Sequence, residues 1–151
     1  MYNTCLRITK DEMDAEDVLQ ESFISAFKHL SSYKGSASFG SWLKRIVVNN
    51  AISLVKKRKL DLESVEGKED ASVYDEEASR ECEYDIEVVK EGIARLPEGY
   101  RLVLTLYLIE GYDHKEIAQI LEITESTSKS QFNRSKKKLR EILKEELKYA
   151  G

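Results

Sequence analysis

Apolar and polar positions recur with a helical period along most of the chain. Between residues 14 and 30, Leu19, Phe23, Ala26, Phe27 and Leu30 return at helical spacing, while Asp14, Asp17, Gln20 and Glu21 take the other positions. This pattern predicts an amphipathic helix with those five apolar residues inward. Residues 31–40 are rich in serine and glycine and predict a loop. A second helix is predicted over 41–59. Ile46, Val47, Ala51, Leu54 and Val55 give it an apolar side, and Arg45, Asn49, Ser53 and Lys56 share a polar face. From residue 85, Ile86, Val89, Ile93 and Leu96 mark a helix that stops at Pro97. Gly92 inside it costs about 1 kcal/mol relative to alanine. Residues 101–110 predict a strongly apolar helix ended by Gly111, residues 114–121 a short helix, 122–124 a turn, and 125–147 a long final helix. No strand and no internal repeat is predicted, so the expected fold class is all-α.

Residues 60–84 break the pattern. They carry acids, small residues and few large apolar ones, too little to fix a conformation, and predict a flexible linker. The expected organisation is therefore two small helical domains, 1–59 and 85–151, joined by an acidic tether.

Charge sharpens this division. The formal net charge is −4, an unpromising sum for a nucleic-acid binder, but the distribution is segregated. Residues 42–59 hold Lys44, Arg45, Lys56, Lys57, Arg58 and Lys59 with no acid. Residues 126–140 hold Lys129, Arg134, Lys136, Lys137, Lys138 and Arg140, again with no acid. Acids dominate the stretch between them. The chain is basic, then acidic, then basic.

Candidate chemistry is sparse. Cys5 and Cys82 are far apart and neither sits in a C-x-x-C pair, which argues against a disulfide framework or a zinc site. His29 and His114 supply too few further ligands, so no metal and no cofactor are expected. Asp14, Glu16 and Asp17 cluster at a helix start, where acids complement the helix dipole. No nucleophile–base pair or phosphate-cradling glycine loop can be assembled, so the chain is not expected to be an enzyme. Apolar runs are too short to span a membrane and no signal peptide opens the chain, which points to the cytoplasm.

Residues 114–139 combine the parts of a helix-turn-helix. Ala118 is small where a second helix would cross, Ile123 can plug the turn, and Thr124 is placed to cap the second helix. In that helix Ser128, Phe132, Ser135, Leu139 and Ile142 form an inward stripe, although a serine at 128 packs less well than an apolar residue. Ser126, Ser130, Asn133 and Lys137 form an outward stripe, with Thr127, Lys129 and Arg134 beside it. Serine, asparagine and arginine can hydrogen-bond base edges and lysine chiefly pairs with phosphates, so this face is a candidate DNA reader. The helix over 41–59 pairs basic residues with Phe39 and Trp42. Aromatics beside cations suit stacking of unpaired bases, though a tryptophan at the start of an amphipathic helix is more often core.

The segments DAEDVLQESFISAF and YKGSASFGSWLKRIVVNNAISLVKKRK resemble region two of the extracytoplasmic-function (ECF) sigma factors, members of the sigma-70 family. LPEGYRLVLTLYLIEGYDHKEIAQILEITESTSKSQFNRSKKKLREIL resembles their region four, with an L-P-x-x-x-R start, an E-G bend and an E-I-A helix. The resemblance implies two helical domains, region two at 1–59 and region four at 85–151, and a subunit that confers promoter recognition on core RNA polymerase. It implies that Asp17, Gln20 and Glu21 contact the polymerase. Lys44, Arg45, Asn49, Asn50 and Lys56 would contact the minus-ten element, with residues 33–39 capturing a flipped base. Ser126, Thr127, Lys129, Ser130, Asn133, Arg134 and Lys137 would contact the minus-thirty-five element. An anti-sigma factor is a further candidate partner. Relatives begin earlier, so Met1 is expected to fall inside the first helix of region two, and Ser128 and Gln131 replace a usual valine and arginine. The competing expectation is a helix-turn-helix regulator that binds DNA without polymerase; DVLQE in the first half is the feature such a regulator does not need.

Overall fold

The protein, seen in a computed structural model, is described over residues 1–62 and 85–150. The expected linker therefore lies mostly outside the described residues. Its first residues, 60–62, close a long helix.

The first half is three helices. α1 spans Tyr2–Thr9 and ends where Lys10 turns left-handed (φ 59°), its N–H bonding to Leu6 O. The Asp11 carboxylate then accepts from the Asp14 N–H at 2.9 Å and starts α2, Glu12–Lys28. A short 3₁₀ turn at Leu30–Ser32 leads to α3, Phe39–Leu62. The helix over 41–59 thus begins two residues earlier than expected, because Ser38 Oγ accepts from the Ser41 N–H. Cys5 and Ile8 of α1, Ala15 and Val18 of α2, and Val47, Val48, Ala51 and Ile52 of α3 fill the core between them.

The expected inward face of α2 is corrected. Its buried stripe is Ala15, Val18, Ser22 and Ala26, while Phe23, Phe27 and Leu30 are exposed, Phe27 by 75%. Small side chains let α2 lie close to α1 and α3, and the Ser22 hydroxyl is satisfied by donating to Val18 O at 2.6 Å. Two apolar stripes run along this helix, and the bulkier one faces out.

The second half packs three short helices against a long one. α4 is Ile86–Ala94, α5 is Glu98–Leu104, α6 is His114–Leu121 and α7 is Glu125–Ala150. The single helix expected over 101–110 is instead α5 followed by a π-helical turn, Thr105–Ile109, in which the Glu110 N–H reaches back to Thr105 O. Gly92 has a packing reason: a Cβ there would meet Leu139 Cδ1 at 2.9 Å and Leu143 Cδ2 at 3.1 Å, so these two leucine side chains would have to shift for α4 to lie as closely on α7.

The two halves touch. Leu102, Val103, Leu106, Ile117 and Ile120 of the second half belong to the same buried cluster as the first-half core. Arg101, only 3% exposed, donates to the carbonyls of Arg7 and Ile8 at the end of α1. There a cation offsets the negative end of the helix dipole.

Candidate nucleic-acid and partner interfaces

Local rules build the helix-turn-helix. Asp113 and Glu116 form a reciprocal capping box at the start of α6, with bonds of 2.8 and 2.9 Å. Glu122 ends α6 in a left-handed conformation (φ 57°), Ile123 packs into the core, and Thr124 Oγ1 accepts from the Thr127 N–H at 3.0 Å to start α7. Ser128, Ser135 and Ile142 are buried, and Phe132 and Leu139 are partly buried. Ser126, Thr127, Lys129, Asn133 and Lys137 are exposed, while Ser130 and Arg134 are half-buried. The outward stripe of α7 is therefore set by what its other face buries. Lys129 pairs with Glu125 at 2.9 Å, one turn back.

Ser128 is not a packing fault. Its hydroxyl lies 2.9 Å from His114 Nδ1, and the imidazole stacks on Tyr107 (centroids 4.6 Å apart) and meets Phe132 edge-on at 5.5 Å. A polar pair flanked by aromatic rings fills the position an apolar side chain would take. Burial pulls the His114 pKa below its ordinary value, with Lys129 acting the same way and Glu125 and Asp113 against it. A lowered folded-state pKa favours the neutral ring. Its contribution to stability is whole above the unfolded value of about 6.5 and is lost as pH falls through the folded value. Thermal melts from pH 7.5 to pH 5 should show this loss in the wild type, and His114→Gln should flatten that part of the profile.

The first basic helix begins at an aromatic cluster. Tyr33, Phe39 and Trp42 have ring centroids 5.4–5.7 Å apart, and the Tyr33 hydroxyl donates to Ala37 O at 2.7 Å. Trp42 is half-buried in this trio and stands outside the core cluster, against the expectation that it is core. The five expected DNA contacts of α3 have different surroundings. Asn49 is exposed. Asn50 turns inward, its Nδ2 donating to Ser22 Oγ at 3.0 Å, and so joins α3 to α2. Lys44 reaches Glu110 Oε2 at 2.9 Å and Glu110 O at 2.8 Å. Lys44 and Arg45 also lie over the Tyr112 ring, 5.7 and 5.4 Å from its centroid. Lys56 pairs with Glu122 at 2.7 Å.

Asp17, Gln20 and Glu21 are all exposed on α2. Beside them Met13, Ile24 and Phe27 stand as exposed apolar residues, a placement the residue order alone does not show. With Asp17 and Gln20 they recur at steps of four and three, one continuous stripe. The signal was present as a second apolar periodicity in α2, but it could not be told from the buried one without neighbours. Asp14, another acid of the helix start, is held by Arg58 of α3.

Two compact helical units, one carrying a helix-turn-helix and the other a basic helix led by an aromatic cluster, define a sigma-70-type architecture. The family model for sigma-70 region 2 matches residues 1–60 and that for sigma-70 region 4 matches residues 86–139. The ECF RNA polymerase sigma factor SigW of Bacillus subtilis is 31% identical over 96% of this chain and 83% of its own length. SigM of the same organism is 32% identical over 94% and 87%. Among solved structures, the Bartonella quintana sigma factor RpoE, in complex with the anti-sigma factor NepR, superposes with a TM-score of 0.64 at 23% identity, covering 95% of this chain and 89% of that one. The chain belongs to the ECF sigma factors of the sigma-70 family. It is a sigma factor for transcription initiation. Among the described residues, no helix is long and apolar enough to cross a membrane.

Proposed function

We propose that this sigma factor directs core RNA polymerase to its promoters from the cytoplasm by reading two elements, without catalytic chemistry of its own. The half at 85–151, acting as region four, reads the minus-thirty-five element through Ser126, Thr127, Lys129, Ser130, Asn133, Arg134 and Lys137. The half at 1–59, acting as region two, reads the minus-ten element through Lys44, Arg45, Asn49, Asn50 and Lys56, with the Asn50 Nδ2 also joining α3 to α2. The exposed stripe of α2 around Asp17, Gln20 and Glu21 docks on the polymerase.

The observation that carries this reading is α7. Its apolar positions, together with Ser128 and Ser135, are consumed inward, and its outward stripe keeps polar and cationic side chains at the spacing a major groove accepts. The α2 stripe supports the docking assignment, because acids and an amide interleaved with exposed Met13, Ile24 and Phe27 suit a protein partner better than water. RpoE and CnrH, solved with NepR and with the cytosolic domain of CnrY respectively, support an anti-sigma factor as a further partner.

Transcription in vitro with core polymerase and a randomised promoter library tests the whole reading. Asn133→Ala and Arg134→Ala should each change which minus-thirty-five sequences are used, by roughly 1–3 kcal/mol of discrimination per lost bidentate contact. Equal loss on every promoter removes base readout by these residues. Asp17→Ala and Gln20→Ala should weaken binding to core polymerase with the fold intact. DNA binding that proceeds without polymerase would favour the stand-alone regulator instead.

A further inference from the structure

Beside the end of α1, between it, α4 and the π-helical turn, lies a cleft of about 340 Å³. Small-molecule sites begin at about this size, roughly 300 Å³. Its walls combine two kinds of side chain. Leu6, Ile93, Ala94 and Ile109 supply apolar surface. Arg7, Lys10, Lys90 and Arg101 supply cations, and no acid lines the cleft among the described residues.

Two buried polar groups line it as well. Arg101 is 3% exposed and Thr105 1%. The Arg101 Nε and the Thr105 hydroxyl have no hydrogen-bond partner among the described residues. Buried polar groups are nearly always paired, so two exceptions one helical turn apart call for a partner. Holding α5 against α1 does not supply one, because the carbonyls of Arg7 and Ile8 engage Nη1 and not Nε. Thr105 also opens the π-helical turn, an irregularity that recurs at functional sites.

The donor chemistry narrows the partner. An arginine N–H can only donate, so the atom it meets is an acceptor. Arg7 pairs with Glu110 at 3.2 Å and Lys90 with Glu87 at 2.8 Å. Lys10 and Arg101 meet only backbone carbonyls among the described residues, Lys10 that of Ala94 at 2.5 Å. An anionic acceptor therefore gains charge-assisted bonds here. The four apolar side chains favour a ligand whose remainder is hydrocarbon. We propose that the cleft is a binding site for a small carboxylate with an apolar body, an alkyl or aryl acid. Its carboxylate accepts from Arg101 Nε and the Thr105 hydroxyl, and its hydrocarbon lies against Leu6, Ile93 and Ile109. The site is independent of the promoter and polymerase contacts assigned above.

The test titrates sodium octanoate into the full ¹⁵N-labelled chain and follows its amide correlation spectrum. Saturable shifts are expected at Leu6, Ile93, Thr105 and Ile109, with a dissociation constant below about 1 mM, within reach of a ligand of about ten non-hydrogen atoms. 1-Octanol, which lacks the charge, and inorganic phosphate, which lacks the hydrocarbon, should each bind at least about tenfold more weakly. Thr105→Val keeps the side-chain shape and should weaken octanoate about tenfold without changing octanol. Ile109→Glu puts an acid into the cleft and should abolish octanoate binding, whereas Leu108→Glu, the same charge change at an exposed residue outside the lining, should not. Shifts confined to other residues, or no saturation by about 10 mM octanoate, overturn the site. Octanol binding as tightly as octanoate reduces the cleft to apolar surface and overturns it too, as does phosphate binding as tightly. Equal losses from Ile109→Glu and Leu108→Glu show general charge repulsion and have the same consequence. Should a variant lose the dispersed spectrum of the folded chain, the comparison of octanoate, octanol and phosphate on the wild type decides alone.

Discussion

Leu106→Ala is expected to lower the unfolding free energy by about 2–5 kcal/mol, the range for emptying a well-packed leucine site. Leu106 is fully buried, in the π-helical turn, within the cluster that holds residues from both halves. The turn itself limits relaxation, because its backbone is committed: Leu106 O accepts from the Tyr112 N–H and Thr105 O from the Glu110 N–H. A cavity that the backbone cannot collapse into keeps most of its cost. Each half has little core of its own, so a loss of this size is a large fraction of the total stability. Urea unfolding followed by far-ultraviolet circular dichroism should show a lower midpoint. An exposed leucine of the same turn, Leu108, provides the contrast, since Leu108→Ala should change stability by less than about 0.5 kcal/mol.

Arg101→Ala is the second large loss, expected at about 2–4 kcal/mol, from truncating a buried charged donor and orphaning its acceptors. The guanidinium is buried with no ion-paired carboxylate among the described residues, and it donates to the backbone carbonyls of Arg7 and Ile8. Burial lowers its pKa, with Glu98 acting the other way. Its Nε and the hydroxyl of neighbouring Thr105 are buried without a hydrogen-bond partner among the described residues. The site is thus half-compensated, and charge is an inefficient way to hold the contact. Arg101→Met, which keeps the bulk and removes the charge, should recover part of the loss. Equal destabilisation by both variants in thermal melts would show that the carbonyl contacts, and not volume, carry the effect.

These residues mark the limit of what one sequence shows. The helices themselves were legible, because helical periodicity, caps and breakers are local: Asp113 with Glu116, Thr124, Pro97 and Gly111 all act within a few residues of where they stand. The helix-turn-helix was legible for the same reason. The direction of α2 was not. Its two apolar stripes are equivalent in a list of residues, and only the close approach of α1 and α3 selects the stripe of small ones. Ser128 looked like a flaw until His114 was placed beside it. That Asn50 also joins α3 to α2 through Ser22 was equally out of reach of the sequence.

What the amino-acid order determined by itself was the set of helices, the segregation of charge into two basic segments about an acidic one, and the inward and outward stripes of α7. All depend on interactions between residues a few positions apart. What the tertiary structure alone decided was which apolar stripe of α2 faces out and which cations of α3 are already engaged. Lys44 meets Glu110 sixty-six residues away, and Arg101 meets Arg7 across ninety-four. Contacts at that separation are set by how whole helices pack, which no local periodicity encodes.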